Sequence, residues 1–369
     1  SANTRWAAQQ LLDRILPQLG VDTACAVLTV ADADSEFHPE YFAALTYHFL
    51  RAGGGEGKTS QRYLTIWQPP VLHYKNYVTQ LAAIRLASFI TTTHELANLA
   101  DPSSTRVPYS TYSISAVLAR AVDGWDPDWI SEDWHMALKC FLATGGRLEV
   151  QPIFLPVLNY SPDAGGMVAT LLARWVQAKR HALGFAELVF FHEHFPRAFA
   201  ALQSRRERLL MLWRGFFLWS KLVMIHSVLA ALFFVSALNY ALYLYVFDIG
   251  ASQYINSWTF LLNCVAQFVS LVSFLSIFAV SMAIYECAKN RIEDAVDTKL
   301  SIFWRWRSLH LVSVVIQSLA FLPGFFVLAA LCEWIAAFRS AVTHKFHYEV
   351  AVKKSGGIQT GHLAIAESG

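Results

Sequence analysis

Ala26-Val27-Leu28-Thr29-Val30-Ala31-Asp32-Ala33-Asp34 is an apolar, β-branched run that ends in two carboxylates one residue apart. Such a run fits a pleated surface covered on both faces, so it predicts a buried strand. Buried strands of this kind belong to open α/β sheets, whose ligands gather beyond the strands' carboxyl ends. The stretch therefore delivers Asp32 and Asp34 to a ligand edge. Two carboxylates so spaced on a turning backbone suit a hard divalent cation. Two solvated loop acids are the plainer alternative when the pair is taken alone.

Working outward, the chain up to about residue 200 is mixed α/β in pattern, with Pro and Gly punctuation and no uncharged stretch of spanning length. Trp6, Leu11, Leu12, Ile15 and Leu16 predict a helix directly before the strand. The opening residues show no basic region followed by an apolar one, the mark of a signal peptide.

The second half has a different character. The whole chain is 55% apolar and only 15% charged, and the excess is concentrated there. Leu222–Phe247, the interval between Asp248 and Glu286, and Ser308–Cys332 contain no Asp, Glu, Lys or Arg. Each exceeds the roughly 20 helical residues that cross a bilayer core. Three membrane spans are expected, at about 222–247, 258–284 and 308–337. Before them, residues 186–221 mix Phe190, Phe191, Trp213, Phe216 and Phe217 with Arg205, Arg206, Arg208, Arg214 and Lys221. That mixture suits an amphipathic segment at lipid headgroup level.

Basic residues orient the spans. They crowd the approach to the first span, are missing from 248–257, and return as Lys289, Arg291, Lys299, Arg305 and Arg307. The positive-inside rule places the N-terminal half and the 286–307 connection in the cytosol. Three full spans put the tail, 339–369, outside, yet it carries Arg339, Lys345, Lys353 and Lys354. Pro323-Gly324 would instead break the third span. Both arrangements fit the sequence.

Net charge is +2, with basic residues scattered among acidic ones, which excludes a nucleic-acid surface. The cysteines, Cys25, Cys140, Cys264, Cys287 and Cys332, are five in number and widely spaced. They read as reduced core residues of a chain whose soluble part faces the cytosol, neither a disulfide framework nor a zinc site.

Two further constellations follow the Asp32/Asp34 pair. Ser131-Glu132-Asp133 opens a helical pattern, where carboxylates either cap the helix or stand ready to take a proton from a hydroxyl. Gln177-Ala-Lys-Arg180-His181-Ala-Leu-Gly184 places Gln177 and Arg180 on one helix face, where an amide and a guanidinium could grip a phosphate. Alone it also reads as a basic turn beside a membrane.

In this order, and with these separations, the three constellations resemble the family 2 glycosyltransferases of the GT-A fold, cellulose and chitin synthases among them. Those enzymes carry a DxD motif, an acceptor-side ED motif and a Q/RxxRW motif just before membrane helices. Pro39, Tyr41, Gln68-Pro-Pro70 and Gly124-Trp125 add smaller matches. The resemblance covers residues 1–185, the expected catalytic domain. It implies that Asp32 and Asp34 hold a Mn or Mg ion against the diphosphate of a nucleotide-sugar. It also implies that Asp133 is the base with Glu132 beside it, that Gln177 and Arg180 meet the donor diphosphate, and that His181 takes the acceptor-side place of Trp. The implied activity is inverting transfer of a sugar to a polysaccharide, glycan or lipid hydroxyl by an integral, multi-pass membrane enzyme among membrane lipids. The uridine-binding strand that the family places upstream of its DxD motif is not found ahead of Asp32. With His181 it leaves a second reading, a degenerate membrane scaffold or partner subunit.

Three other features carry less. His192-Glu-His194 lacks the helical i,i+4 pair of a zinc site and predicts interfacial packing. His135 predicts a structural hydrogen bond. Gly53-Gly-Gly-Glu-Gly-Lys58 lacks phosphate-loop spacing and predicts a surface turn.

Overall fold

A computed structural model describes residues 2–53, 60–73, 75, 76, 80–228, 250, isolated positions between 253 and 272, and 330–342. The Gly-rich turn at 54–59 and most of the three expected spans lie outside these residues.

The chain opens with helix α1 (Ala2–Gln10), a π-helical turn (Leu11–Ile15) and the short helix α2 (Leu16–Gln18). The π turn shifts the helical phase. Leu12 and Leu16 enter the core while Trp6 and Ile15 stay exposed, a split that regular periodicity does not produce. Strand β1 (Val27–Val30) forms where the apolar run predicts a strand, but it is an edge strand of its sheet with only Leu28 fully buried, because β5 alone pairs with it. After it come β2 (Glu36–Phe37), helix α3 (Tyr41–Arg51), β3 (Thr65–Gln68), β4 (Val71–Leu72) and the long helix α4 (Ala82–Ala100). Strand β5 (Tyr112–Ser115) leads into α5 (Ala116–Ala121), α6 (Glu132–Ala143), β6 (Glu149–Pro152) and β7 (Val157–Leu158). Helices α7 (Met167–Ala182), α8 (Phe185–Ala201), α9 (Arg205–Val223) and α10 (Leu331–Val342) complete the described elements.

The main sheet has the order β1-β5-β3-β6. Strand β3 runs parallel to β6, and β5 runs antiparallel to both β1 and β3. Residues of alternate parity face opposite sides, so Ile66 enters one core cluster and its neighbour Trp67 the other. On the first side Leu12, Leu28, Ile66, Tyr112 and Ile114 pack with Met136, Phe141 and Phe191. On the second, Tyr41, Leu45 and Phe49 of α3 pack on Trp67 and Ile153.

Direction matters more than order. Because β5 runs against β1, Val30 at the end of β1 lies opposite Tyr112 at the start of β5. The loop after β1, with Asp32 and Asp34, therefore meets the segment Tyr109–Thr111 that enters β5. Strand β3 ends at the same edge with Gln68. A second, three-stranded sheet, β2-β7-β4, continues the chain beyond that edge.

Candidate active site

The two carboxylates after β1 are held by the segment that follows β7. Tyr160 N–H donates to Asp34 Oδ2 at 3.0 Å, and Asn159 Nδ2 lies 3.5 Å from Asp32 Oδ2. Lys75 Nζ donates to the Asp34 backbone carbonyl at 3.2 Å and pairs with Glu36 at 3.0 Å. Asp32 is exposed and Asp34 half-buried. Among the described residues no group of three or more His, Cys, Asp or Glu side chains gathers around one point. Two carboxylates supply part of a Mg or Mn coordination shell and leave the rest to phosphate oxygens and water, the usual way such ions meet a nucleotide.

Glu132 and Asp133 begin α6 and are anchored by the start of β5. Tyr112 Oη donates to Glu132 Oε2 at 2.8 Å and itself accepts from Trp125 Nε1 at 2.7 Å. Trp125 reaches that position through the Asp123-Gly124 turn, where φ is 58° and 63°. Ser110 N–H donates to Asp133 Oδ2 at 2.7 Å from a backbone with φ 26°, and Trp134 N–H donates to Oδ1 at 2.8 Å. A serine at positive φ stores strain, here in a residue whose amide holds the expected base. Gln68 sets this segment from below, its Oε1 accepting from Tyr109 N–H at 2.9 Å and its Nε2 donating to Tyr109 O.

Helix capping does not explain Ser131. Its Oγ makes no cap and donates instead to Glu187 at 2.7 Å. Burial, then the Asp133 charge, push Glu132 up to about 8, and the Asp32 carboxylate adds to the rise. Burial pushes Asp133 up to about 6, against the lowering effect of the Ser110 and Trp134 amides. Strand β5 links the two constellations, since Val30 at the end of β1 lies opposite Tyr112, whose hydroxyl holds Glu132.

A buried polar network lies one turn further along α6. Glu187 of α8 is 0% exposed and accepts from Trp129 Nε1 and Ser131 Oγ. His135 Nδ1 lies 3.1 Å from Glu187 Oε2, and its Nε2 lies 2.7 Å from Asp126 Oδ2. Lys139 Nζ donates to Asp126 Oδ1 at 2.9 Å. Asp126 feels burial first, but the Lys139 and His135 hydrogen bonds carry its carboxyl below the usual range. His135 is thus the structural histidine its setting suggested, stacked on Trp129 at 3.9 Å.

Helix α7 carries Gln177, Arg180 and His181. Gln177 is buried with Oε1 accepting from Arg174 NH1, Arg180 is half-buried and His181 exposed. Burial lowers Arg174 to about 10. Gly184 closes the constellation where His226 packs against it, and a Cβ there would stand 2.9 Å from His226 Cε1. Ala178 and Ala182 bury against Cys332 and Ala336 of α10. His192 and His194 make local contacts with Trp219, Leu188 O and Phe190 O, the packing role expected of them.

Sequence reasoning did not find Glu187, Tyr112 or Ser110. For Glu187 a signal existed, a lone acid in the apolar run Phe185-Ala-Glu187-Leu-Val-Phe-Phe191. For Ser110 none did, since its backbone amide is what acts.

No curated protein sequence matches the chain. The sequence model of the family described as Glycosyl transferase family group 2 matches residues 27–248, more than half of the chain and every element from β1 to α9. The mixed α/β sheets fit a GT-A-like fold. A match of that extent shows that the chain belongs to glycosyl transferase family group 2 and is a glycosyltransferase using a nucleotide-sugar.

Proposed function

We propose that this glycosyltransferase is a membrane-bound, metal-dependent, inverting enzyme in which Asp133 is the base. The Asp133 carboxylate takes the proton of an acceptor hydroxyl, and the freed oxygen attacks the anomeric carbon of the donor sugar. The bond from that carbon to the diphosphate breaks, and the nucleoside diphosphate leaves with the electron pair. Asp32 and Asp34 hold a Mn or Mg ion, which when bound neutralises the diphosphate charge. Glu132 positions Asp133. Arg180, with Gln177, meets the leaving diphosphate, and His181 meets the acceptor, a glycan or a lipid.

The observation that carries this reading is the pair Glu132/Asp133, desolvated, raised in pKa and anchored to the edge where Asp32 and Asp34 end β1. A base poised near neutral pH is what hydroxyl deprotonation requires.

Membrane attachment has separate support. Arg205–Ser227 is a helix with the length and apolarity of a membrane span, and in this reading most of it lies along the membrane surface because one side of it enters the domain core. Leu209, Trp213 and Phe216 stand exposed on α9, whereas Met211, Leu218 and Leu222 of the same helix enter the core. Trp258, Leu261, Val265, Phe268 and Val272, three or four apart, are helical and exposed. Such faces suit lipid. In this arrangement residues 1–185 form the cytosolic catalytic domain, 186–221 lie at the interface and the uncharged runs after 222 span the bilayer, up to α10, which packs on α7 of the catalytic domain.

The test is transfer by the full chain in membranes, supplied with metal and a panel of UDP- and GDP-sugars. Asp133→Asn is expected to lower transfer by at least about a hundredfold. Undiminished transfer by that variant removes Asp133 from the mechanism.

A further inference from the structure

Helix α4 is fastened at three places. Ser88 Oγ lies 2.7 Å from Ser161 Oγ, two residues beyond Asn159, whose amide faces Asp32. His94 Nδ1 lies 3.3 Å from Tyr109 Oη, and the Tyr109 ring packs edge-on against Trp134 beside Asp133. Asn98 exchanges hydrogen bonds with the Val107 backbone, N–H and carbonyl, at 3.2 and 2.9 Å. The stretch from Ser88 to Asn98 therefore runs from the Asp32/Asp34 side of the site to the Asp133 side.

Thr92 and Glu95 lie within that stretch on the same helix face as Ser88, one turn apart. Both are buried, at 0% and 6% exposed, and both keep an unused oxygen, since Thr92 Oγ1 and Glu95 Oε2 have no hydrogen-bond partner among the described residues. Asn159 is likewise buried, with its Oδ1 unpartnered. Burial, then the charge of Asp133, push the Glu95 carboxyl well above its ordinary value. Burial thus favours the neutral form of this carboxyl, which can both donate and accept.

Leaving a buried polar atom unpaired is costly, and apolar residues of the same shape would avoid that cost. Two such atoms lie on the stretch of α4 fastened to both sides of the site and a third on Asn159 beside Asp32, an arrangement that leaves hydrogen bonds available to a ligand. A hydroxyl, an amide oxygen and a protonated carboxyl match vicinal hydroxyls, each of which donates and accepts.

We propose that Thr92, Glu95 and Asn159 form the wall that reads the hydroxyls of a pyranose ring held between Asp32/Asp34 and Asp133, and so set sugar specificity. The inference rests on the placement of the reaction between those carboxylates. The ring belongs to either the donor or the acceptor, and both present the same chemistry.

Thr92→Val and Glu95→Gln in the full chain test it. In the donor arm, calorimetry compares UDP-glucose and GDP-mannose with UDP and GDP. In the acceptor arm, saturation-transfer NMR reads methyl glycosides of glucose, mannose and N-acetylglucosamine in the presence of UDP. In one arm, which names the source, both variants weaken sugar binding about tenfold and leave UDP and GDP binding unaltered. Thermal unfolding without ligand rises in Thr92→Val, because an orphaned hydroxyl has been removed. Unaltered sugar binding in both arms overturns the inference, as does a lowered Tm with no change in sugar binding. Neither readout uses turnover. Loss of sugar binding in these variants together with undiminished transfer by Asp133→Asn would leave this inference standing and remove the base.

Discussion

His135 Nδ1 stands 3.1 Å from Glu187 Oε2, and that contact ties the helix opened by Glu132 and Asp133 to the helix that follows Gly184. The ED pair and the Gln177–Gly184 segment are thereby held in one frame. Glu187 accepts from three side chains, Trp129, Ser131 and His135, with no exposure to water.

Removing that acceptor orphans all three donors. Glu187→Ala is expected to lower stability by about 3–5 kcal/mol, the usual result of stripping one partner from a buried charged pair. Denaturant unfolding of the purified chain measures it. A loss below about 1 kcal/mol would mean that water replaces Glu187 without strain.

The carboxyls of α6 predict opposite effects of pH on activity and stability. A base works ionised, so transfer should rise as pH passes about 6, where Asp133 loses its proton, and shift again near 8 with Glu132. Both groups keep protons in the folded chain at pH values where the unfolded chain, with carboxyls near about 4, has released them. Folding therefore binds protons between about 4 and 8, and the stability these groups allow is full below that window and falls as pH rises through it. Glu132→Gln should flatten the fall and raise the Tm at pH 8 but not at pH 4. Equal pH slopes for wild type and variant would place the titration elsewhere.

Metal removal by a chelator should abolish transfer, and added Mn or Mg should restore it. In Asp34→Asn the half-maximal metal concentration is expected to rise about tenfold or more. Titrating activity with Mn in both proteins gives the comparison. Superimposable curves would detach Asp34 from the ion and leave it as the acceptor for Tyr160 N–H.

Gly184 gives a steric prediction. An added Cβ would meet His226 Cε1 at 2.9 Å, His226 Nε2 at 3.0 Å and the His181 carbonyl at 3.1 Å. The carbonyl is backbone and cannot swing aside, so Gly184→Ala should cost about 1–3 kcal/mol. His226 also holds Glu333 of α10 at 3.0 Å, so displacing it should loosen α10 from α7. Limited proteolysis between α9 and α10, compared with wild type, reads that loosening, and an unchanged pattern would show that the ring moves away freely.

Much of the site is legible in the chain's own pattern. Asp32 and Asp34 lie after a strand, as the β-branched run requires, and Glu132 opens a helix. The phase of the first helix is not legible, because a π turn adds a residue to one turn and moves Leu12 and Leu16 inward while Trp6 stays outside. Nor is the use of Ser131. Its type and place suggest a cap, yet a buried acceptor on α8 outcompetes the helix's own amides for its hydroxyl.

The sequence by itself determined the order of the three constellations, the strand that ends in Asp32-Ala-Asp34 and the uncharged runs, because period, β-branching and charge act over a few residues. Only the tertiary structure decided that β5 runs against β1, and with it that Ser110 and Tyr112 arrive beside the loop carrying Asp32. It also set the direction in which the Glu132, Asp133 and Glu95 carboxyls shift, upward in each case, since desolvation depends on what covers a side chain and not on its neighbours in the chain.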